Sequence, residues 1–207
     1  MATAQTRPRR GSFDFGGGVL WLAGSAVVDR NATETRNQTG PADRLTLFEV
    51  DSQLRSAPGI GAHLGFNLTS TVAIEGALTY SRPKIATAVS NDFERSPNVT
   101  ISDSPLQQYV VDAGVLVHVR GLHLGSRTRP FVAASAGYLR QVTEARATVS
   151  TGRVYAIGGG LKQMLAPSGR LGLRVDARLG VRDGGLMLDE HRRRAFFMAG
   201  AGTFILF

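Results

Sequence analysis

The side chains able to carry chemistry are few in this 207-residue chain, and their spacing does not point to catalysis. The four histidines, His63, His118, His123 and His191, form no HxH or HExxH metal pattern. With no Cys, neither a thiolate metal site nor a disulfide can form. Asp189, Glu190 and His191 are adjacent and could at most make a surface metal contact; a solvated loop is the simpler reading. The glycine runs at 16–18 and 158–160 lack the Lys and Ser/Thr of a phosphate loop, so they read as packing positions. Four Asn-x-Thr sequons, at Asn31, Asn37, Asn67 and Asn98, lie in Asn/Thr-rich stretches where such triplets arise by chance. No catalytic residue, metal or cofactor is expected.

What remains is charge placed with a period. Glu75, Asp112, His118, Lys162, Arg174, Asp176 and Arg178 each fall where polar residues alternate with apolar ones. Residues 170–182 show it best, with Leu171, Leu173, Val175, Ala177, Leu179 and Val181 on one side and Arg170, Arg174, Asp176, Arg178 and Arg182 on the other. A helix would scatter those charges all round, whereas a strand gives one clean apolar face.

The same pattern predicts eight strands, over 13–26, 58–66, 71–80, 107–120, 129–140, 153–165, 170–182 and 194–207. Several exceed the average soluble strand of ~5–6 residues and reach the ~9–11 that a tilted bilayer crossing needs. Their connections alternate. Long polar ones at 27–57 and 81–106, expected to be mobile and exposed, alternate with short ones such as NLTS at 67–70 and APSG at 166–169, which carry turn residues. A meander with tight hairpins at one rim and long ones at the other fits an all-β, eight-stranded antiparallel up-and-down transmembrane β-barrel, with short periplasmic turns and long extracellular loops. Residues 1–12 are expected to be a flexible segment and 13–207 a single barrel domain. No stretch supplies the ~20 apolar residues of a spanning helix, and no apolar run follows the basic residues of MATAQTRPRR, so no signal peptide is expected.

In such a barrel the apolar face meets lipid and the charged face fills the lumen. Ile60, Leu64, Phe66, Val72, Ile74, Leu78, Tyr109, Val111 and Val115 would point outward, with Phe13, Trp21, Tyr80, Tyr138, Tyr155 and Phe207 as interfacial girdles. Inside, Glu75, Asp112 and Asp176 would be balanced by Arg174, Arg178, Lys162 and Arg120, with glycines such as Gly114, Gly158, Gly160 and Gly202 making room. His118 shares that face. A paired network is the simpler reading and a narrow ion path the functional one; eight strands leave no water-filled channel. The first and last strands read less cleanly, because Leu20, Leu22, Phe204 and Leu206 share the glycine face. The formal charge of +8 comes from 24 basic and 16 acidic residues scattered along the chain, so no nucleic-acid partner is expected.

The segments FDFGGGVLWLAG, GIGAHLGFNLTSTVAIEGALTYSR, RPFVAASAGYLR, AIGGGLKQML and FFMAGAGTFILF resemble the small outer-membrane β-barrel proteins of Gram-negative bacteria, the OmpA-like or OmpX-like porin-type group. The resemblance runs from about Phe13 to Phe207. It implies an outer-membrane location and a monomer embedded in lipid and lipopolysaccharide. It also implies recognition by the barrel-assembly machinery through Ile205 and Phe207, although the chain departs from the family's apolar pattern at Thr203. Some barrels of this size hydrolyse lipid A with a Ser, a His and an acid near the last strands. Here His191 has no neighbouring Ser and the final strand contains none, so no enzyme is expected. Arginines assigned to the loop rim, Arg192, Arg193 and Arg194 among them, would lie level with lipopolysaccharide phosphates, which a guanidinium fork can hold. The expected role is envelope integrity or surface interaction. The alternatives are an adhesin or host-factor binder using 27–57 and 81–106, and a soluble lipocalin-like barrel around an apolar ligand.

Overall fold

Alternation in the sequence becomes alternation across a sheet. The computed structural model describes residues 10–33, 46–90, 99–119, 127–143, 148–165, 170–185 and 193–207. They form eleven strands, β1 (Phe13–Leu22), β2 (Ser25–Thr33), β3 (Thr46–Leu54), β4 (Ala57–Asn67), β5 (Val72–Ser81), β6 (Lys84–Ser90), β7 (Val99–His118), β8 (Thr128–Thr143), β9 (Thr148–Met164), β10 (Leu171–Gly184) and β11 (Arg194–Leu206). No described residue is helical.

Eight of these close a ring in the order β1-β4-β5-β7-β8-β9-β10-β11, with β11 returning to β1 and every pairing antiparallel. Closure leaves this ring no unpaired edge. The eight-stranded meander expected from the sequence is therefore the fold.

The remaining strands correct that expectation. The stretches 27–57 and 81–106 are not wholly loops: β2 pairs β3, β3 pairs β6, and β6 pairs β7 from Val99 to Pro105. Together they carry the wall beyond the barrel as a four-stranded sheet. Alternation continues through segments such as KIATAVS at 84–90, and Pro83, which has no N–H to give a ladder, marks the break from β5. The break is bridged, since Leu106 N–H donates to Pro83 O at 2.9 Å and Arg55 N–H to Lys84 O at 2.8 Å. Likewise β8 and β9 run past their expected ends at 140 and 153, so their connection shrinks to 144–147.

At the opposite end the connections are tight. In the 67–70 turn the Thr69 hydroxyl accepts from the Thr71 and Val72 N–H groups at 3.1 and 2.9 Å, which fixes the β4–β5 register. Asn67 donates its side-chain amide to Ser12 O, and Gly11 N–H reaches Asn67 O at 2.8 Å. Gly11 and Ser12 are thus fastened to the rim, while residues 1–9 of the segment expected to be flexible lie outside the described residues.

The two faces of the wall differ in kind. Val19, Ile60, Ile157 and Leu179 point outward at 66, 61, 67 and 62% exposure, whereas Lys162 and Arg174 point inward at 4% each. Phe13, Phe15, Phe66 and Phe207 lie near the turn end, and Trp21, Tyr80, Tyr109, Tyr138 and Tyr155 near the loop end. Phe13 stacks on Phe66 with centroids 4.7 Å apart, and Tyr80 on Tyr109 at 5.0 Å. The ambiguous residues resolve inward: Leu22 and Phe204 are buried, and Leu22 packs with Leu139, Val154 and Phe196 as an apolar layer across the lumen near the loop end.

Candidate functional site

The barrel interior gathers the charges into layers, because inward positions recur at every second residue and register aligns neighbouring strands. Arg174, Asp176 and Arg178 follow one another on the inner face of β10, and Glu75 on β5 and Asp112 on β7 reach the same level from across the ring. Glycine supplies the space. Glu75 is flanked in register by Gly65 and Gly114, and Asp176 by Gly160 and Gly200. At Gly160 a Cβ would stand 2.1 Å from Val175 O and 2.7 Å from Asp176 Cβ, so a larger residue cannot enter without a shift.

The central layer is a shared-carboxylate cluster. Arg174 donates through both η nitrogens to Glu75, at 2.5 and 2.9 Å, and through Nε to Asp176 at 3.1 Å. Arg178 donates to Glu75 and Asp176, each at 3.1 Å, and reaches Asp112 at 3.5 Å. Two guanidiniums thus face three carboxylates. Bidentate geometry with further hydrogen bonds is the condition under which a buried ion pair recovers most of its desolvation cost.

A second layer lies toward the turn end. Lys162 donates to both oxygens of Asp14, at 3.0 and 3.1 Å, and His63 Nε2 is 3.8 Å from the same carboxylate. The sequence reading gave Lys162 to the other three acids and missed Asp14. Its signal was present, since Asp14 precedes Gly16 and Gly18 at a period of two in β1. His118 is buried on the same face, with Nδ1 lacking a hydrogen-bond partner among the described residues, and belongs to neither cluster. Arg120 lies outside the described residues.

Toward the loop end the inward polar groups include Arg182, which the sequence set on the charged face of its strand, and Gln108 and Gln141, which it did not single out. Both Arg182 Nη1 and Gln141 Nε2 donate to Gln108 Oε1, at 3.2 and 2.9 Å, and the Arg182 guanidinium stacks over Phe196 at 4.9 Å. Arg193 is exposed, with Nε 3.7 Å from Asp183, while Arg194 opposes Arg182 in register and turns inward, because consecutive strand residues face opposite ways. Arg192 lies outside the described residues. Ile205 and Phe207 are exposed, and Phe207 N–H donates to Phe13 O at 2.8 Å where the ring closes.

Chemically, the charges of the central and turn-end layers are engaged with one another. Asp14, His63 and Glu75 bring ligand atoms within 4.8 Å, but the ammonium of Lys162 and the guanidinium of Arg174 already occupy the two carboxylates, so the donor set does not suit a metal ion. Cavities of about 70, 30 and 10 Å³ occur at successive levels of the lumen, each of a size for a few waters at most. The charged lining also argues against an apolar ligand of the lipocalin kind.

No family model matches the sequence, and no curated protein matches it. Solved structures do resemble it. The outer membrane protein OprG from Pseudomonas aeruginosa matches with a TM-score of 0.58 at 11% identity, over 98% of each chain. Neisserial surface protein A matches at 0.53 and 14% identity, over 95% of this chain and 99% of that one. Ail, the attachment invasion locus protein of Yersinia pestis, in a complex with the heparin analogue sucrose octasulfate, matches at 0.50 and 12% identity, over 96% of this chain and 99% of that one. The fold is that of the small outer-membrane β-barrels, as the sequence resemblance implied.

Proposed function

We propose that this chain is a non-enzymatic protein of the Gram-negative outer membrane, a monomer whose barrel is a plugged anchor and whose loop end is its working surface. One observation carries the reading: the exposed face is apolar while the buried face holds the ion pairs, the reverse of a soluble barrel. In this reading Ile205 and Phe207 are what the assembly machinery recognises. Lipopolysaccharide phosphates would meet exposed arginines of the loop end, for which Arg140 and Arg153 on the outer wall are better placed than Arg194. Heat-modifiable migration tests the anchor. Refolded in detergent, the unheated protein should run differently from the heated protein in SDS; equal mobility from a protein that folds without detergent would refute it.

A second reading, attachment to a host molecule, is favoured by the sheet of β2, β3, β6 and the start of β7, which carries a wall beyond the barrel as a platform. Ail, named for attachment, shares the fold. Replacing both hairpins by tight turns should leave the barrel heat-modifiable. Cell binding lost with that change supports attachment, and binding that persists removes it.

A further inference from the structure

Charge is divided unequally between the two ends of the barrel. Around the loop end both signs occur, as where Arg193 approaches Asp183. At the turn end the exposed charged side chains among the described residues are Arg10, Arg127 and Arg170, all of them cationic. Asp14, the described acid of that end, is buried in the lumen against Lys162. The bias is written in the sequence, which has no Asp or Glu in 1–13, 66–74, 113–143 or 163–175, the stretches that contain the turn-side connections. Backbone hydrogen bonds seat the three arginines on the rim. Arg127 and Arg170 directly precede β8 and β10, and their carbonyls accept from the Met164 and Leu206 N–H groups at 3.0 and 2.7 Å. Arg10 stands three residues before β1, beside Gly11, whose N–H donates to Asn67 O at 2.8 Å. In the ring β9 separates β8 from β10, and β11 separates β10 from β1, so successive arginines belong to strands about 10 Å apart. They form an arc along one side of the rim.

Depth on the wall selects the partner. Each arginine lies just beyond the last exposed apolar residues, Phe13, Leu165, Leu171 and Phe207. In the barrel read above as a membrane anchor, on which this inference rests, that level is where lipid headgroups lie. We infer that Arg10, Arg127 and Arg170 form a binding arc for the phosphate groups of anionic phospholipids in the leaflet on the turn side. A guanidinium holds a phosphate through a planar fork of N–H donors, and cations at a membrane surface are drawn to lipids of net negative charge. A zwitterionic phospholipid offers the same phosphate together with an ammonium group, which the arc repels. Lipopolysaccharide phosphates would meet the opposite end of the barrel, so the two contacts are separate.

The chain has no Cys, so Leu165→Cys accepts a single fluorophore between Arg127 and Arg170, since the Met164 N–H reaches Arg127 O and the Leu165 N–H reaches Leu171 O. The labelled full chain is folded into phosphatidylcholine vesicles in which a fixed fraction of the lipid is brominated, as phosphatidylglycerol or as phosphatidylcholine. At low ionic strength the brominated phosphatidylglycerol should quench as though enriched about fivefold at the label. Arg127→Gln/Arg170→Gln should bring the two lipids to near parity, and so should about 1 M salt, which screens the charges. A label at Tyr155→Cys, toward the loop end of β9, should be indifferent to those substitutions. Equal quenching by the two lipids at Leu165→Cys, or a preference that survives both the substitutions and the salt, would overturn the arc and leave the barrel in its membrane. Quenching by neither lipid at either label would remove the membrane reading, and the arc with it.

Discussion

Glu75 and Arg174 meet across the middle of the barrel as a two-pronged pair, Oε2 to Nη1 at 2.5 Å and Oε1 to Nη2 at 2.9 Å, with 99 residues of chain between them. Arg178 shares the same carboxylate, so one acid on β5 holds two guanidiniums of β10. Glu75→Ala leaves both cations short of charge in a buried site and should destabilise the barrel by about 3–5 kcal/mol. Replacing Arg174 by Met in the same chain should return part of that loss. The exposed pair of Arg193 and Asp183, at 3.7 Å, gives the contrast: Asp183→Ala should cost less than about 1 kcal/mol. Urea titration followed by the unheated SDS band measures all three.

The Asp14 and Glu75 carboxylates are near enough to repel, being within 4.8 Å of each other through a cluster shared with His63. Lys162 and Arg174 hold them apart in charge. Asp14→Asn and Glu75→Gln should therefore be non-additive, the double variant losing more than the sum of the singles by about 0.5–3 kcal/mol, because each single relieves the repulsion and the double relieves it only once. A double-mutant cycle in the same urea assay decides this, and strict additivity would mean the two layers are electrically independent.

Glycine at the tight positions is a packing requirement. Gly160→Ala sets a methyl 2.1 Å from Val175 O, and Gly18→Ala one 2.2 Å from Ala201 O, whereas at Gly76 the nearest atom is 4.0 Å away. The first two should each cost about 1–3 kcal/mol and Gly76→Ala little, as unfolding midpoints would show.

The outer wall near the loop end sets Arg140 opposite Tyr109 and Arg153 opposite Tyr138, a basic row beside an aromatic one. If lipopolysaccharide binds there, it should stabilise the unmodified barrel against heat, and Arg140→Ala/Arg153→Ala should lose most of that gain. Equal stabilisation of both proteins would remove these two arginines from the contact.

The number and order of the barrel strands and most of the inward charges were readable because period two ties each side chain to a face. Arg174, Asp176 and Arg178 could be placed from β10 alone. Partner choice was not readable, since it depends on register between distant strands. Lys162 takes Asp14 from β1, and only closure of the ring brings them together. Leu22 and Phe204 were ambiguous because the lumen uses apolar as well as charged filling, so polarity alone does not mark the inner face there. Strands β2, β3 and β6 were passed over because their polar residues looked like loop beyond the break at Pro83, and the first strand, expected over 13–26, in fact ends at Leu22 with β2 beginning at Ser25.

The central claim is that the exposed apolar face is a lipid face, and Val175→Arg tests it most directly. Val175 is 56% exposed on β10 and shares the partner Ala201 with Val19, which lies between Phe15 and Trp21 on β1, so it stands near mid-height. In a bilayer an arginine there should cost about 2–4 kcal/mol of folding free energy. On a water-facing wall the same substitution should fall within about 0.5 kcal/mol. Measured by folding into lipid vesicles across a urea series, a loss in the first range is the result predicted. An unchanged midpoint, from a protein equally folded without lipid or detergent, would contradict the account.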